Sequence, residues 1–176
     1  MNRRWWIITD THFGHDKIVE ACERPKKHEL LILKNISRLV NECDTIIHIG
    51  DFAFYDIEKW AIEYKNAING ARSWLVLGNH DKKSASWYLD YFDFVSNGFF
   101  MEQYGEIIYF SHRPSVDIGY TINIHGHFHN NDHRSREHEL IAIANEKQKL
   151  LVIENENYSP VRLDTFIARK YNGEVK

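Results

Sequence analysis

Three short apolar runs organise the first half of the chain, and each ends on side chains able to bind or transfer something. RRWWIITD ends at Asp10, DTIIHIGD at Asp51, and SWLVLGNHD in Asn79, His80 and Asp81. Between them lies KKHELLILKNISRLVNEC, with a helical stripe at Leu33, Ile36, Leu39 and Val40. DIEKWAIEYKNAING reads as a second helix, capped by Asp56 and ended by Gly70. Strands alternating with helices predict a layered α/β arrangement. Ligand sites in open α/β sheets gather outside the carboxyl ends of the strands. Polar residues at every such end therefore predict one shared site.

The second half is richer in strands. DFVSNGFFMEQYGEIIYFSH reads as paired strands about a turn at Gly105, ending at His112. GYTINIHGHFH is another strand that runs into His125, His127 and His129. Were the strand to continue, those three imidazoles would share a face; a loop would fan them apart. KLLVIENENYSP gives a further strand and LDTFIARKYNG a terminal helix. From Asn130 to Lys149 the pattern fits a helix or half a hairpin, and what this segment covers stays open. Helix-alternating strands followed by mostly strands predict a mixed sheet system.

Composition narrows the function classes. A chain of 176 residues, 43% hydrophobic and 14% aromatic, suits a single folded domain over 1–176 with a real core. A net charge of −3 without a charged tail gives no electrostatic case for nucleic acid. A short basic patch through Lys82, Lys83, Arg113, Arg134 and Arg136 is the exception. Cys22 and Cys43 show no paired spacing, which predicts buried reduced thiols and a cytoplasmic protein. The apolar run after MNRR is too short for a secretory core or a membrane span. Histidine, with 11 copies, is the outlier.

Five clusters concentrate the chemistry: TDTHFGH, IGDF, LGNHD, FSHRP and HGHFH. A strand-terminal Asp alone reads as a turn residue, and a lone histidine as a packed one. Turns and cores, however, do not require carboxylate and imidazole at strand end after strand end. In this order the clusters resemble the calcineurin-like metallophosphoesterase family, specifically its small stand-alone prokaryotic or phage-type members. VIENENYSPV also resembles the strand and Tyr-Pro turn that follow the last motif there.

The resemblance implies an α/β β-sandwich of two mixed sheets flanked by helices, in αββα layers. It also implies two divalent transition-metal ions. Asp10, His12, Asp51 and His129 would hold one, and Asp51, Asn79, His112 and His127 the other, with Asp51 bridging. One carboxylate oxygen for each ion suits a separation of about 3.5–4 Å. The donors are nitrogen and hard oxygen, without sulfur, which suits Mn²⁺, Fe, Zn²⁺, Co²⁺ or Ni²⁺. Mn²⁺ is the leading expectation, although the donors themselves do not choose. The activity implied is phosphoester hydrolysis, of diesters before protein phosphates, by a hydroxide bridging the ions. The substrate is a phosphate ester, with a nucleotide as one option.

His80, beside Asn79 and outside the ligand set, is the expected catalytic residue that protonates the leaving oxygen. Arg113 and His15 are candidate substrate contacts. Asp81 would cap a helix starting near Lys82 or orient His80, and the cap is preferred. His125 is read as a supporting or packed histidine, and Gly126 as a residue that lets the backbone bend. GDFAFY lacks the charged residues that protein phosphatases carry after this block, which argues against a phosphoprotein substrate. Phe13, Phe52 and Phe128 are expected in the core or the pocket wall rather than stacked on a base. The competing readings are a non-catalytic metal-binding scaffold of the same fold and a nuclease using the same chemistry.

Overall fold

Every residue of the strand β2 (Thr45–Ile49) is buried, as a central parallel strand covered on both faces requires. It lies between β1 (Trp5–Ile8) and β3 (Arg72–Val76), and β4 (Phe94–Ser96) continues the parallel set. The two-residue β9 (Val161–Arg162) closes the β1 edge antiparallel, making this first sheet mixed. The second sheet runs β5 (Gly98–Gln103), β6 (Glu106–Ser111), β7 (Ile122–His125) and β8 (Gln148–Leu150). Its β5–β6 pair is antiparallel, and the remaining pairs are parallel. This computed structural model describes residues 3–116, 119–130 and 147–169.

Alternation along β1 and β2 sends side chains to two separate cores. Trp6, Ile8 and Ile46 pack on one face with Ile32 and Ile36 of α2 (His28–Leu39) and with Ala61 and Tyr64 of α3 (Ile57–Ala67). Ile7, Ile47 and Ile49 face the other way and meet Ile108, Phe110, Ile122 and Ile124 of the second sheet. A further helix, α5 (Leu163–Ala168), adds Leu163 and Phe166 to this inter-sheet core. The result is the expected sandwich of two mixed sheets flanked by helices.

Several local expectations change. A short helix, α1 (Asp16–Ala21), follows the first motif and carries no stripe long enough to read from sequence. Asp56 sits at the start of α3 in a left-handed conformation (φ 49°) and caps nothing with its side chain. The strand read from KLLVIENENYSP is short: β8 covers Gln148–Leu150, the Leu151 N–H still bonds the His125 carbonyl at 2.8 Å, and Val152 and Ile153 stay buried beyond it. The helix after Asp81, α4 (Ala85–Tyr88), is capped by Ser84, whose hydroxyl accepts the Trp87 N–H at 3.2 Å. Cys22 is buried as expected, whereas Cys43 is exposed; both are free thiols. The undecided segment falls largely outside the described residues, apart from Asn130 and 147–149.

Candidate metal centre

The carboxyl ends of β1, β2 and β3 meet those of β6 and β7 along one rim. Backbone bonds join the first two exits: Asp10 N–H donates to the Gly50 carbonyl and His12 N–H to the Asp51 carbonyl, both at 3.0 Å. Asp10, His12, Asp51, His127 and His129 all take left-handed backbone, with φ of 50°, 47°, 55°, 78° and 53°. Non-glycine residues enter this region rarely, and such outliers cluster at functional sites. The strand β7 ends at His125, so the three histidines of HGHFH fan out rather than share a face.

At this rim, atoms able to hold a metal ion gather in two groups, Asp10 with His12 and His129, and Asp51 with His112 and His127, each within 4.8 Å. His129 Nε2 is 3.6 Å from Asp10 Oδ1 and 3.2 Å from His12 Nε2. Asp51 Oδ2 lies 3.5 Å from His12 Nε2 and 3.3 Å from His112 Nε2, between the groups. Asn79 Oδ1 joins the second group, 3.2 Å from His112 Nε2. Asp10 Oδ1 and Asp51 Oδ2 are buried and accept no hydrogen bond. A buried carboxylate oxygen left this way loses at least about 1–3 kcal/mol. A cation facing these oxygens and the imidazole nitrogens would offset that loss, so the residues present fit the binding of divalent metal.

The remaining atoms of these side chains are fixed. Asp10 Oδ2 accepts from the Thr9 hydroxyl at 2.7 Å and the His127 N–H at 2.9 Å. Asp51 Oδ1 accepts the His80 N–H at 2.8 Å. His112 Nδ1 faces the Ile49 carbonyl at 3.0 Å, which turns Nε2 toward Asp51. A Cβ at Gly126 would overlap Asp10 Oδ2, and one at Gly78 would overlap Asp51 Oδ1. Gly126 thus lets the chain pass without a Cβ clash, as expected, and does so without a positive φ.

Buried charges set the protonation. Burial lowers His112, but Asp51 and Asp10 outweigh it and raise it to about 9. Burial likewise lowers His129, and Asp10 and Glu154 raise it to about 10. Burial works to raise Asp51, yet His112 and His12 hold it well below the usual carboxylate range. His12 goes the other way, pushed well down by burial despite Asp51.

The remaining candidates divide. The His80 ring centroid lies 5.4 Å from that of His12, at the mouth of the first group. His15 lies flat on Phe54, with centroids 4.2 Å apart and planes at 10°, and its ring is 6.2 Å from that of His80. Arg113 is exposed, with Nη2 3.5 Å from Asn79 Oδ1. It lines a cleft of about 370 Å³ with Asn79, Asn97, Tyr109, His112 and Ser115. His125 joins neither group: it is buried edge-on to Phe128, with Nδ1 3.1 Å from the Gly126 carbonyl. Phe13, Phe52 and Phe128 are buried, as expected of core and wall. Of the basic patch, Lys82 bonds the Asn79 carbonyl and Lys83 lies over Trp87; Arg134 and Arg136 are outside the described residues.

Sequence reading missed the supports. Asp81 is no helix cap: its carboxylate accepts the N–H groups of Asp51 and Phe52 at 2.9 Å and of Gly78 at 2.7 Å. It thereby binds the β2 exit to the β3 exit. Burial pushes it up to about 6, against the pull of the Gly78 N–H. Arg24 and Glu154 form a buried pair behind His129, with Nη2–Oε1 at 2.7 Å. Cys22, His129 and Glu154 form a third group of ligand type, but the Arg24 guanidinium already provides its positive charge. Nothing local in ACERPKKHE or IENENY marks these two residues as partners.

The sequence model of the calcineurin-like phosphoesterase family matches residues 3–171. The uncharacterized protein MJ1445 of Methanocaldococcus jannaschii is 27% identical over 180 residues, covering 98% of this chain and 94% of that protein. Among solved structures, the protein of unknown function AQ665 from Aquifex aeolicus is 27% identical with a TM-score of 0.75. That match covers 94% of this chain and 98% of the other.

Proposed function

Because the chain belongs to the calcineurin-like phosphoesterase family, we propose that it is a phosphodiesterase whose rim holds two divalent transition-metal ions. Asp10, His12 and His129 would hold one ion, and Asn79, His112 and His127 the other, with Asp51 shared. The observation that carries the reading is the pair of buried, unbonded carboxylate oxygens, each aimed at imidazole nitrogens. Bound there, such ions supply Lewis-acid charge to phosphoryl oxygens and acidify a water nucleophile. The nitrogen and oxygen donors suit Mn²⁺ first, then Fe, Zn²⁺, Co²⁺ or Ni²⁺.

The chain's own residues do the rest. His80 is tied by its backbone to Asp51 and presents a half-buried ring at the rim, where it would protonate the leaving oxygen. Arg113 would meet the single negative charge of a diester by charge-assisted bonds. His15, held against Phe54, would line the same approach. Phe52 and Ala53 are buried, and Phe54 is engaged with His15, so this wall offers no charge for a dianionic monoester.

The test is hydrolysis of bis-p-nitrophenyl phosphate and p-nitrophenyl phosphate with added Mn²⁺, on the wild type and His80→Ala. We expect the diester to be preferred, and His80→Ala to lower kcat by about 10²–10⁴-fold with metal content unchanged. Bound metal without turnover of either ester would instead favour the scaffold. Metal lost together with activity in His80→Ala would make His80 a ligand.

A further inference from the structure

We propose that Arg24 and Glu154 are positioning residues that fix the ring of His129 and make the Asp10–His12–His129 group the tighter-binding half of the centre. The inference rests on the cation reading above. His129 turns Nε2 toward Asp10 and His12, so Nε2 must keep its lone pair for a ligand and Nδ1 must carry the proton. That proton needs an acceptor, and Glu154 Oε1 lies 3.2 Å from Nδ1. Arg24 Nη2 is also near Nδ1, at 3.4 Å, but two N–H donors cannot bond each other.

Arg24 instead holds the acceptor in place. Its Nε and Nη2 reach Glu154 Oε1 at 2.9 Å and 2.7 Å, and the two side chains are 0% and 4% exposed. The same guanidinium donates to the Thr11 carbonyl at 2.9 Å and the Asp10 carbonyl at 2.7 Å. Those carbonyls belong to the chain between Asp10 and His12, where both ligand residues take positive φ. One arginine therefore braces the Asp10–Thr11 backbone that leads into His12 and, through Glu154, the ring of His129. A buried ion pair is a weak stabilising device, and apolar side chains of similar volume often do as well. Its place behind a ligand is what fold stability leaves unexplained. A carboxylate acceptor also makes the imidazole a stronger donor than does the neutral carbonyl that faces His112.

The test titrates metal-stripped full-length protein with Zn²⁺ by calorimetry, comparing the wild type with Glu154→Gln and the charge-free double variant Arg24→Met/Glu154→Met. The expected result is a tighter step weakened by about 10–100-fold and a weaker step unchanged. In Zn²⁺-loaded protein, long-range proton–nitrogen NMR should show the His129 Nδ1–H resonance displaced in Glu154→Gln and the His112 resonances unmoved. A purely structural pair would not produce that selectivity. Equal weakening of both steps, an unchanged titration or an unchanged His129 signal would overturn the proposal. So would failure of both variants to fold, which would assign the pair to stability. A wild type that binds no Zn²⁺ would sink the cation reading and this inference together. Two clean steps identical in all variants would sink this inference alone.

Discussion

On one side of Asp51, His129 leans its Nδ1 on a carboxylate that a buried arginine holds in place. On the other side, His112 leans on the carbonyl of Ile49, the last residue of β2 and only two residues before Asp51. The candidate ligand atoms of the two halves are alike in kind; their supports are not. Support for His112 comes with the strand that delivers Asp51, and Asp81 ties that exit to the next. Support for His129 has to be assembled from Arg24 and Glu154, 130 residues apart. A neutral acceptor on a strand requires no buried charge, whereas a buried carboxylate must be paired before it can be useful. One half is thus a by-product of the sheet, and the other is a separate construction on top of it.

The largest effect should come from Asp51, the residue that the proposed centre shares between its halves. Asp51→Asn removes the charge between His12 and His112, and we expect activity to fall by about 10³-fold or more, with both ions lost by elemental analysis. If one ion survived at full occupancy, Asp51 would belong to a single half and the comparison would need redrawing. Asp81→Asn should act mainly on the second half, where it ties the β2 exit to the β3 exit. Asparagine cannot accept at both side-chain positions, so a buried N–H near Asp51 loses its partner at a cost of about 1–3 kcal/mol. A lower melting temperature and a weakened second binding step, with the first intact, would sharpen the contrast. Equal loss in both steps would break it.

Proton linkage gives two smaller tests, built on pKa shifts of opposite sign. In the metal-free protein, His112 at about 9 and His129 at about 10 are protonated at neutral pH, and a ligand must shed that proton. Apparent Mn²⁺ affinity should therefore rise with pH up to about 10, with protons released on binding, as calorimetry in buffers of different ionisation enthalpy would show. His28, packed near Arg24, is pushed down to about 4 by burial and by that arginine's charge. Its neutral form favours the fold above its unfolded value of about 6.5, and that stability is lost as pH falls from there toward 4. His28→Gln should flatten this acid limb in urea melts of the metal-free protein. An unaltered limb would assign it to other groups, for which His48 and His125 are candidates, lowered to about 3 and about 4.

How much of this was readable beforehand depended on range. The strand ends carrying Asp10, Asp51, Asn79 and His112 were legible because apolar run and polar stop are neighbours in sequence. Convergence of those ends followed from the rule for α/β sheets. Asp81 was misread because a carboxylate before Lys82 and Lys83 has the local look of a helix cap, while its N–H donors at Asp51 and Phe52 are about thirty residues away. Arg24 and Glu154 were invisible for the same reason, since no periodicity encodes a pair whose members meet only when both cores have closed. The short β8 accompanies that pair: past the Leu151 N–H, which still bonds the His125 carbonyl, the chain leaves the sheet, and Glu154 reaches Arg24.

The left-handed backbone at Asp10, His12, Asp51, His127 and His129 has an evolutionary consequence. Each of these residues sits in a conformation that costs an ordinary side chain about 1 kcal/mol or more. Glycine would relax every one of them and abolish the donor it replaced. Drift toward a sturdier protein and retention of this rim therefore pull in opposite directions. A lineage released from the need for the chemistry should lose these five side chains while its two cores persist.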